Sequence, residues 1–251
     1  MNDDSEWMSI SDMMSGLMLI FMFIAISFMI QVQEDKNKTE EINKKLEELI
    51  KQAKKDKEKI ENIARTYYKD KEELNRDLNN EFKKDLKSWE AEITEDNIMI
   101  FNSPTVLFET GKSSIKKDFK NILNDFFPRY IKILSSKKYK NEIDEIRIEG
   151  HTSNIWNRGV KKSVIYLKNM KLSQSRANNV LSYCYSIRNG LIQENREWLE
   201  KHFRANGMAF SKLKYLNKEE SLVDLIKSKR VEFRVQMKTE EKIYKILEVS
   251  K

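Results

Sequence analysis

Asp12 stands at the edge of an uncharged run, Met13–Val32, which reads MMSGLMLIFMFIAISFMIQV. At about 100° per residue, Ser15, Gly16 and Ser27 fall within about 60° of Asp12 on a helix wheel. One face of such a helix is acidic and small, and the rest is Met, Leu, Ile and Phe. A small face lets another helix approach closely. A carboxylate at membrane depth is costly in lipid, so it faces protein or a wet path and marks an ion or proton route. The same residue also suits a helix N-terminus, where an acid caps free N–H groups and complements the dipole. Spacing alone leaves both readings open.

A second group lies in the C-terminal half. Ile148-Glu149-Gly150-His151-Thr152-Ser153-Asn154 closes an alternating apolar run. Asn169, Leu172, Ser173, Arg176 and Ala177 follow, then Gly207-Met208-Ala209, then Ser228-Lys229-Arg230-Val231-Glu232. This spacing predicts a helix that begins near Ser173, capped by that residue, with Arg176 in its first turn. A cation there opposes the helix dipole. An anion held by Arg176 and the free N–H groups of the helix start removes the conflict. The alternative is an arginine anchored to a neighbouring Asp or Glu.

Other chemistry is poorly supplied. There are two histidines and one cysteine, which excludes an internal disulfide framework and a Cys-rich zinc site. His151 lacks a His or Cys partner for a metal and is expected to support its loop by hydrogen bonding. Cys184 falls on the apolar face of a predicted helix, as a core residue. No phosphate loop or nucleophile–base pair is present, so neither enzymatic activity nor a bound cofactor is expected. The 47 Lys+Arg outnumber the 40 Asp+Glu for a net charge of +7, but the two signs are interspersed. Lys137-Lys138-Tyr139-Lys140 reads as a solvated turn rather than a nucleic-acid site.

The elements that must position these residues fall into three stretches. Met13–Val32 is long enough to rise about 30 Å as a helix, the thickness of a bilayer's hydrocarbon core. The preceding residues contain no Lys or Arg, so they do not make the basic start of a signal peptide. We read residues 13–32 as an uncleaved single transmembrane helix after a short segment, 1–12. Residues 33–94 form a highly charged helical stalk. Apolar residues recur there at Ile42, Leu46, Leu49, Ala53, Ile60, Ile63, Tyr67, Leu74 and Leu78, at helical and heptad gaps interrupted by Asp56 and Asp70. That pattern suits either a solvated spacer or a parallel dimerisation stalk. Residues 95–238 read as a globular domain, with a tail helix over 239–251. Strand-like runs are expected at Asn97–Phe101, Thr105–Phe108, Ile143–Glu149 and Val231–Val235. Helices are expected at Ile115–Leu134, Leu172–Ile187 and Glu194–His202. The order, near β-α-β-α-β-β, gives an α+β sandwich with helices on one face of a sheet.

Trp7-x-Ser9-x-x-Asp12-x-Met14 before a Met-rich span resembles the N-terminus of the MotB/ZorB-type ion-driven stator B subunits. Gly150-His151-Thr152, Asn169-x-x-Leu172-Ser173-x-x-Arg176-Ala177, Gly207-x-Ala209 and Arg230-Val231-Glu232 together resemble the OmpA-like peptidoglycan-binding domain. The resemblance implies that Asp12 carries the translocated ion, H+ or Na+, with Ser11 and Ser15 supporting the path. It implies peptidoglycan binding through Asn169, Leu172, Arg176, Ser153 and Arg230. It implies a homodimer inside a MotA/ZorA-like multi-span pentamer, in the bacterial inner membrane, with the N-terminus cytoplasmic and the C-terminal domain periplasmic. Peptidoglycan and membrane lipids are then the surroundings, and nucleic acid is not a partner. The closer likeness is to the Zorya anti-phage defence type, because Ile10 stands where flagellar members commonly carry an aromatic. In the family an Asp follows Gly-His-Thr and meets the ammonium of the diaminopimelate side chain; here that position is Ser153.

Charge opposes that orientation. Lys-rich sequence follows the span, and the positive-inside rule favours it as cytoplasmic. Long domains translocate largely regardless of charge, and acids nearly balance the stalk lysines. A flagellar MotB-like stator subunit, a passive OmpA-like wall anchor without ion conduction, and a cytoplasmic coiled-coil tether for nucleic acid or a partner protein are the alternatives.

Overall fold

The structure is a computed structural model describing residues 3–155, 161–217, 219 and 222–238, with residues 3–12 described as helical backbone only. The expected tail helix, 239–251, lies outside the described residues. The chain divides into two compact units, Met1–Glu61 and Asn62–Lys251.

The described residues of the first unit all lie within α1, which runs from Asp3 to Phe82. Glycine occurs there only at Gly16 and proline not at all, so no residue before Phe82 breaks the helix. An 18-residue window of α1 has a mean hydropathy of 2.4, enough in length and composition to cross a membrane. Its large apolar side chains from Met13 to Val32 are all exposed, as a lipid-facing helix requires. Further along, Ile42, Leu46 and Leu49 are exposed as well, so this part of the stripe packs on nothing within its own unit. Asp56 accepts from Gln52 Nε2 at 3.0 Å and pairs with Lys59 at 3.4 Å, which keeps it on the solvated side.

The second unit begins inside the stretch read as stalk. Leu74, Leu78 and Phe82, at the end of α1, are buried in the main core. The heptad-like spacing there packs against the chain's own domain. Asn75 Nδ2 donates to Thr94 O at 2.7 Å and Asn97 Nδ2 to Lys71 O at 3.0 Å, fixing the helix to the first hairpin. Arg129 clasps the same end, donating to Glu81 at 2.7 Å and Asp85 at 2.9 Å while stacking 4.9 Å from the Phe82 ring.

One mixed sheet follows, in the order β1-β2-β5-β3-β4. Its strands are β1 (Ala91–Ile93), β2 (Ile98–Phe101), β3 (Ile143–His151), β4 (Phe203–Ala209) and β5 (Val231–Met237). β3 and β4 are parallel and the other pairs antiparallel. The α+β class stands, with two strands, β1 and β4, that the apolar pattern does not reveal. β1 is three residues long, and β4 reads FRANGMA, without alternation. Thr105–Phe108 is not a strand. Pro104 opens a one-turn helix, α2 (Pro104–Leu107), because its ring presets the helical φ and its missing N–H costs nothing there. Only Phe108 makes a β-bridge, to Ile115.

α3 (Lys117–Leu134) supplies the aromatic core, with Phe126 5.2 Å from Phe101 and 5.1 Å from Phe233. α4 spans Lys162–Ser186, and the short helices α5 (Gly190–Glu194) and α6 (Arg196–His202) lead into β4. The expected helix Leu172–Ile187 is thus the second half of α4. Lys161–Asn169 carries no Gly or Pro, so the helix extends upstream to Lys162.

Candidate functional site

α4 lies unusually close to the sheet, and two glycines permit it. A Cβ on Gly150 would sit 2.4 Å from Ser173 O, and one on Gly207 would sit 2.5 Å from Gln174 N. Hydrogen bonds bolt the contact. Ser173 Oγ accepts from Ala209 N at 3.0 Å and donates to Met170 O at 3.0 Å. Gln174 Oε1 accepts from Gly207 N at 2.7 Å. Ser173 is therefore a mid-helix bolt, not an N-cap, and Arg176 is not in a first turn. The helix-start anion site expected there does not form, because α4 starts at Lys162.

Arg176 nevertheless faces a site. Ser153, Asn169, Leu172, Arg176 and Arg230 all line one cavity of about 510 Å³, so residues from the loop after β3, from α4 and from the approach to β5 converge. That size suits a small-molecule or peptide-arm ligand. Arg176 is 8% exposed. Its Nε donates to Lys112 O at 2.9 Å and its Nη2 to Glu109 O at 3.3 Å, and the guanidinium stacks 4.8 Å from the Phe108 ring. Among the described residues it makes no ion pair, so the expected alternative of a local Asp or Glu partner is absent too. Burial pulls its pKa down to about 10, and it stays cationic at neutral pH. A buried cation held only by carbonyls has unspent capacity for an anion.

Asn169 is buried and donates to Ile165 O at 3.0 Å. The sequence reading missed four contributors. Phe108 and the loop after it supply the wall opposite α4, and Asn179 Nδ2 pins that loop by donating to Ser113 O at 2.8 Å. Thr152 and Lys229 also line the cavity. Thr152 is 4% exposed, and its hydroxyl has no hydrogen-bond partner among the described residues. Ser103-Pro104, a helix start, was the available signal for the loop; Thr152 stands within the Gly-His-Thr motif without a role assigned to it, and Lys229 was visible only as the neighbour of Arg230.

His151 does not support a loop. It ends β3, and its Nε2 lies 3.6 Å from both Glu149 and Glu232, beyond hydrogen-bond range. Glu149 and Glu232 are directly opposed across β3 and β5. Arg230 meets Glu232 at 2.6 Å, Arg234 meets Glu149 at 3.2 Å, and Arg147 and Lys212 approach Glu149 at 3.5 and 3.7 Å. Burial pushes the Glu232 carboxyl up, but His151 and Arg230 outweigh it and hold it well below the usual range. Glu149 is likewise lowered against its burial, by His151, Arg234 and Lys212. The two glutamates and the histidine could gather round a cation. Four basic side chains already compensate them, so the cluster reads as a buried ion-pair lattice.

Asp12 and Ser11 lie within the helical backbone of α1, their side chains outside the described residues, and Ser15 is exposed one turn on.

Comparison with known proteins bears on both regions. The chain is 37% identical to the Zorya protein ZorB of Escherichia coli, over 98% of this chain and 94% of that protein. It belongs to the ZorB family. Within this ZorB-family chain, residues 107–211 match the OmpA family. Among solved structures, a putative MotB-like protein from Desulfovibrio vulgaris is 18% identical with a TM-score of 0.43, covering 68% of this chain and 95% of that one. The periplasmic domain of Helicobacter pylori MotB is 17% identical with a TM-score of 0.40, covering 64% and 97%.

Proposed function

We propose that this ZorB-family chain is the wall-anchored, ion-carrying B subunit of an ion-driven stator of the Zorya anti-phage type. The observation that carries the anchoring half is Arg176, a buried guanidinium without a carboxylate partner among the described residues, aimed into a cavity with Asn169, Leu172, Ser153 and Arg230. The carboxylates of peptidoglycan stem peptides suit it. The membrane half rests on Asp12 at the mouth of the apolar span, with Ser11 and Ser15 beside it. A carboxylate that binds and releases H+ or Na+ switches its attraction for surrounding groups on and off. One charge moved through 100 mV releases about 2.3 kcal/mol, enough to bias a mechanical step. One helix cannot enclose such a path, so the span sits in a ring of a ZorA-like multi-span partner, two copies of this chain per pentamer. The span crosses the inner membrane with the N-terminus cytoplasmic and the compact unit in the periplasm.

Two variants test the halves separately. Arg176→Ala lowers retention of the full-length protein on purified sacculi at least tenfold while its melting curve stays cooperative; unchanged retention removes the cavity from the anchoring role. Asp12→Asn keeps shape, assembly with the multi-span partner and sacculus retention, yet abolishes phage protection. Full protection in that variant leaves a passive wall anchor, the reading that the Arg176 cavity supports by itself.

A further inference from the structure

The charge inventory of the cavity narrows what it accepts. Arg176, Lys229, Arg230 and His151 line it, and among the described residues no Asp or Glu does. Arg230 is already matched by Glu232 at 2.6 Å, whereas among the described residues Arg176 has only carbonyl partners and Phe108. An ammonium entering here would meet cations and no counter-charge. What the wall offers beside Arg176 is neutral. Ser153 is buried in the lining, and Thr152 brings a hydroxyl that is buried and without a hydrogen-bond partner. A hydroxyl accepts from an amide N–H or donates to a carbonyl or carboxylate, but cannot neutralise a positive charge.

We infer that the cavity selects a carboxylate whose neighbouring nitrogen is acylated rather than free. Resting on the peptidoglycan-anchoring reading, this assigns the ligand as the cross-linked form of the stem peptide. In an uncross-linked stem the distal carbon of diaminopimelate bears both a carboxylate and an ammonium. Cross-linking converts that ammonium to an amide and leaves the carboxylate. Arg176 takes the carboxylate as a charge-assisted pair, and the Thr152 and Ser153 hydroxyls suit the amide. The anchor thereby engages load-bearing wall in preference to loose ends.

Isothermal titration of the full-length protein in detergent tests this with two probes, the diaminopimelate-ending stem tripeptide and the same peptide with its distal amine acetylated. The acetylated peptide binds about tenfold tighter, between the water and protein-surface limits for a like charge at close range. Ser153→Asp, which supplies a carboxylate at the wall, narrows or reverses that order; circular dichroism confirms that the variant is folded. Equal affinity, or tighter binding of the free amine by the unsubstituted protein, overturns the inference. So does failure of both peptides to bind while sacculi are retained through Arg176, and the anchoring reading survives that result. Failure to bind either peptide or sacculi overturns both.

Discussion

Glu232 shows how one residue serves both stability and the site. Its carboxylate orients Arg230, which lines the cavity, and lies 3.6 Å from His151. Its folded pKa lies below the unfolded value of about 4.3, so its contribution is full above that pH and is lost as pH falls through the folded value. Glu149 acts in the same direction. The melting temperature of the full-length protein is therefore expected to fall between pH 5 and pH 3. Glu232→Gln has a lower melting temperature at pH 7, because Arg230 loses a buried partner, and a shallower loss on acidification. Removing one partner of a buried pair costs about 3–5 kcal/mol. An acid limb of equal steepness in the variant would show that the carboxylate does not set it.

At the scale of elements, α1 carries one apolar stripe with two fates. Leu78 is buried in the compact unit, and Leu46 is 52% exposed. Leu78→Ala is expected to cost about 2–5 kcal/mol, the range for emptying a leucine-sized core site. Leu46→Ala should stay within about 0.5 kcal/mol in the same thermal melt under monomeric conditions, as exposed substitutions do. Equal losses would mean that the stripe packs as one seam. The close seat of α4 belongs to this scale as well. Gly150 and Gly207 set its distance from β3 and β4, and that distance brings Arg176 to the carbonyls of the loop after α2.

For the whole molecule, the proposed pairing of two copies gives the exposed Ile42, Leu46 and Leu49 their cover. The sole native cysteine, Cys184, is buried and its thiol is pushed well above the usual range by desolvation, so it is inert to mild oxidants. A Leu46→Cys variant should then give a disulfide-linked dimer in membranes, while the parent chain gives none. A monomer band alone, under conditions that oxidise a control stalk, removes the stalk from the interface and leaves a solvated spacer. A C-terminal reporter active only in the periplasm reads the orientation independently; a cytoplasmic signal favours the inward tether that the lysines suggest.

The sequence determined the apolar span, the helical course of the charged stretch as far as Phe82 (though not its end, since the stretch read as stalk to residue 94 already holds β1), the α+β class and the residues that meet at the cavity. Those are local properties: uninterrupted hydropathy, absence of Gly and Pro, and motif residues at fixed offsets. Tertiary structure decided the rest. Whether Leu74 and Leu78 face a partner chain or their own domain depends on the hairpin and on α3, which periodicity cannot see. β4 is a strand because β3 offers it a parallel edge, not because FRANGMA alternates. Arg176 is an anion-seeking residue for a reason opposite to the local one. It lies in mid-helix, distant in sequence from the carbonyls that hold it, and packing across that separation left it buried without a counter-charge among the described residues.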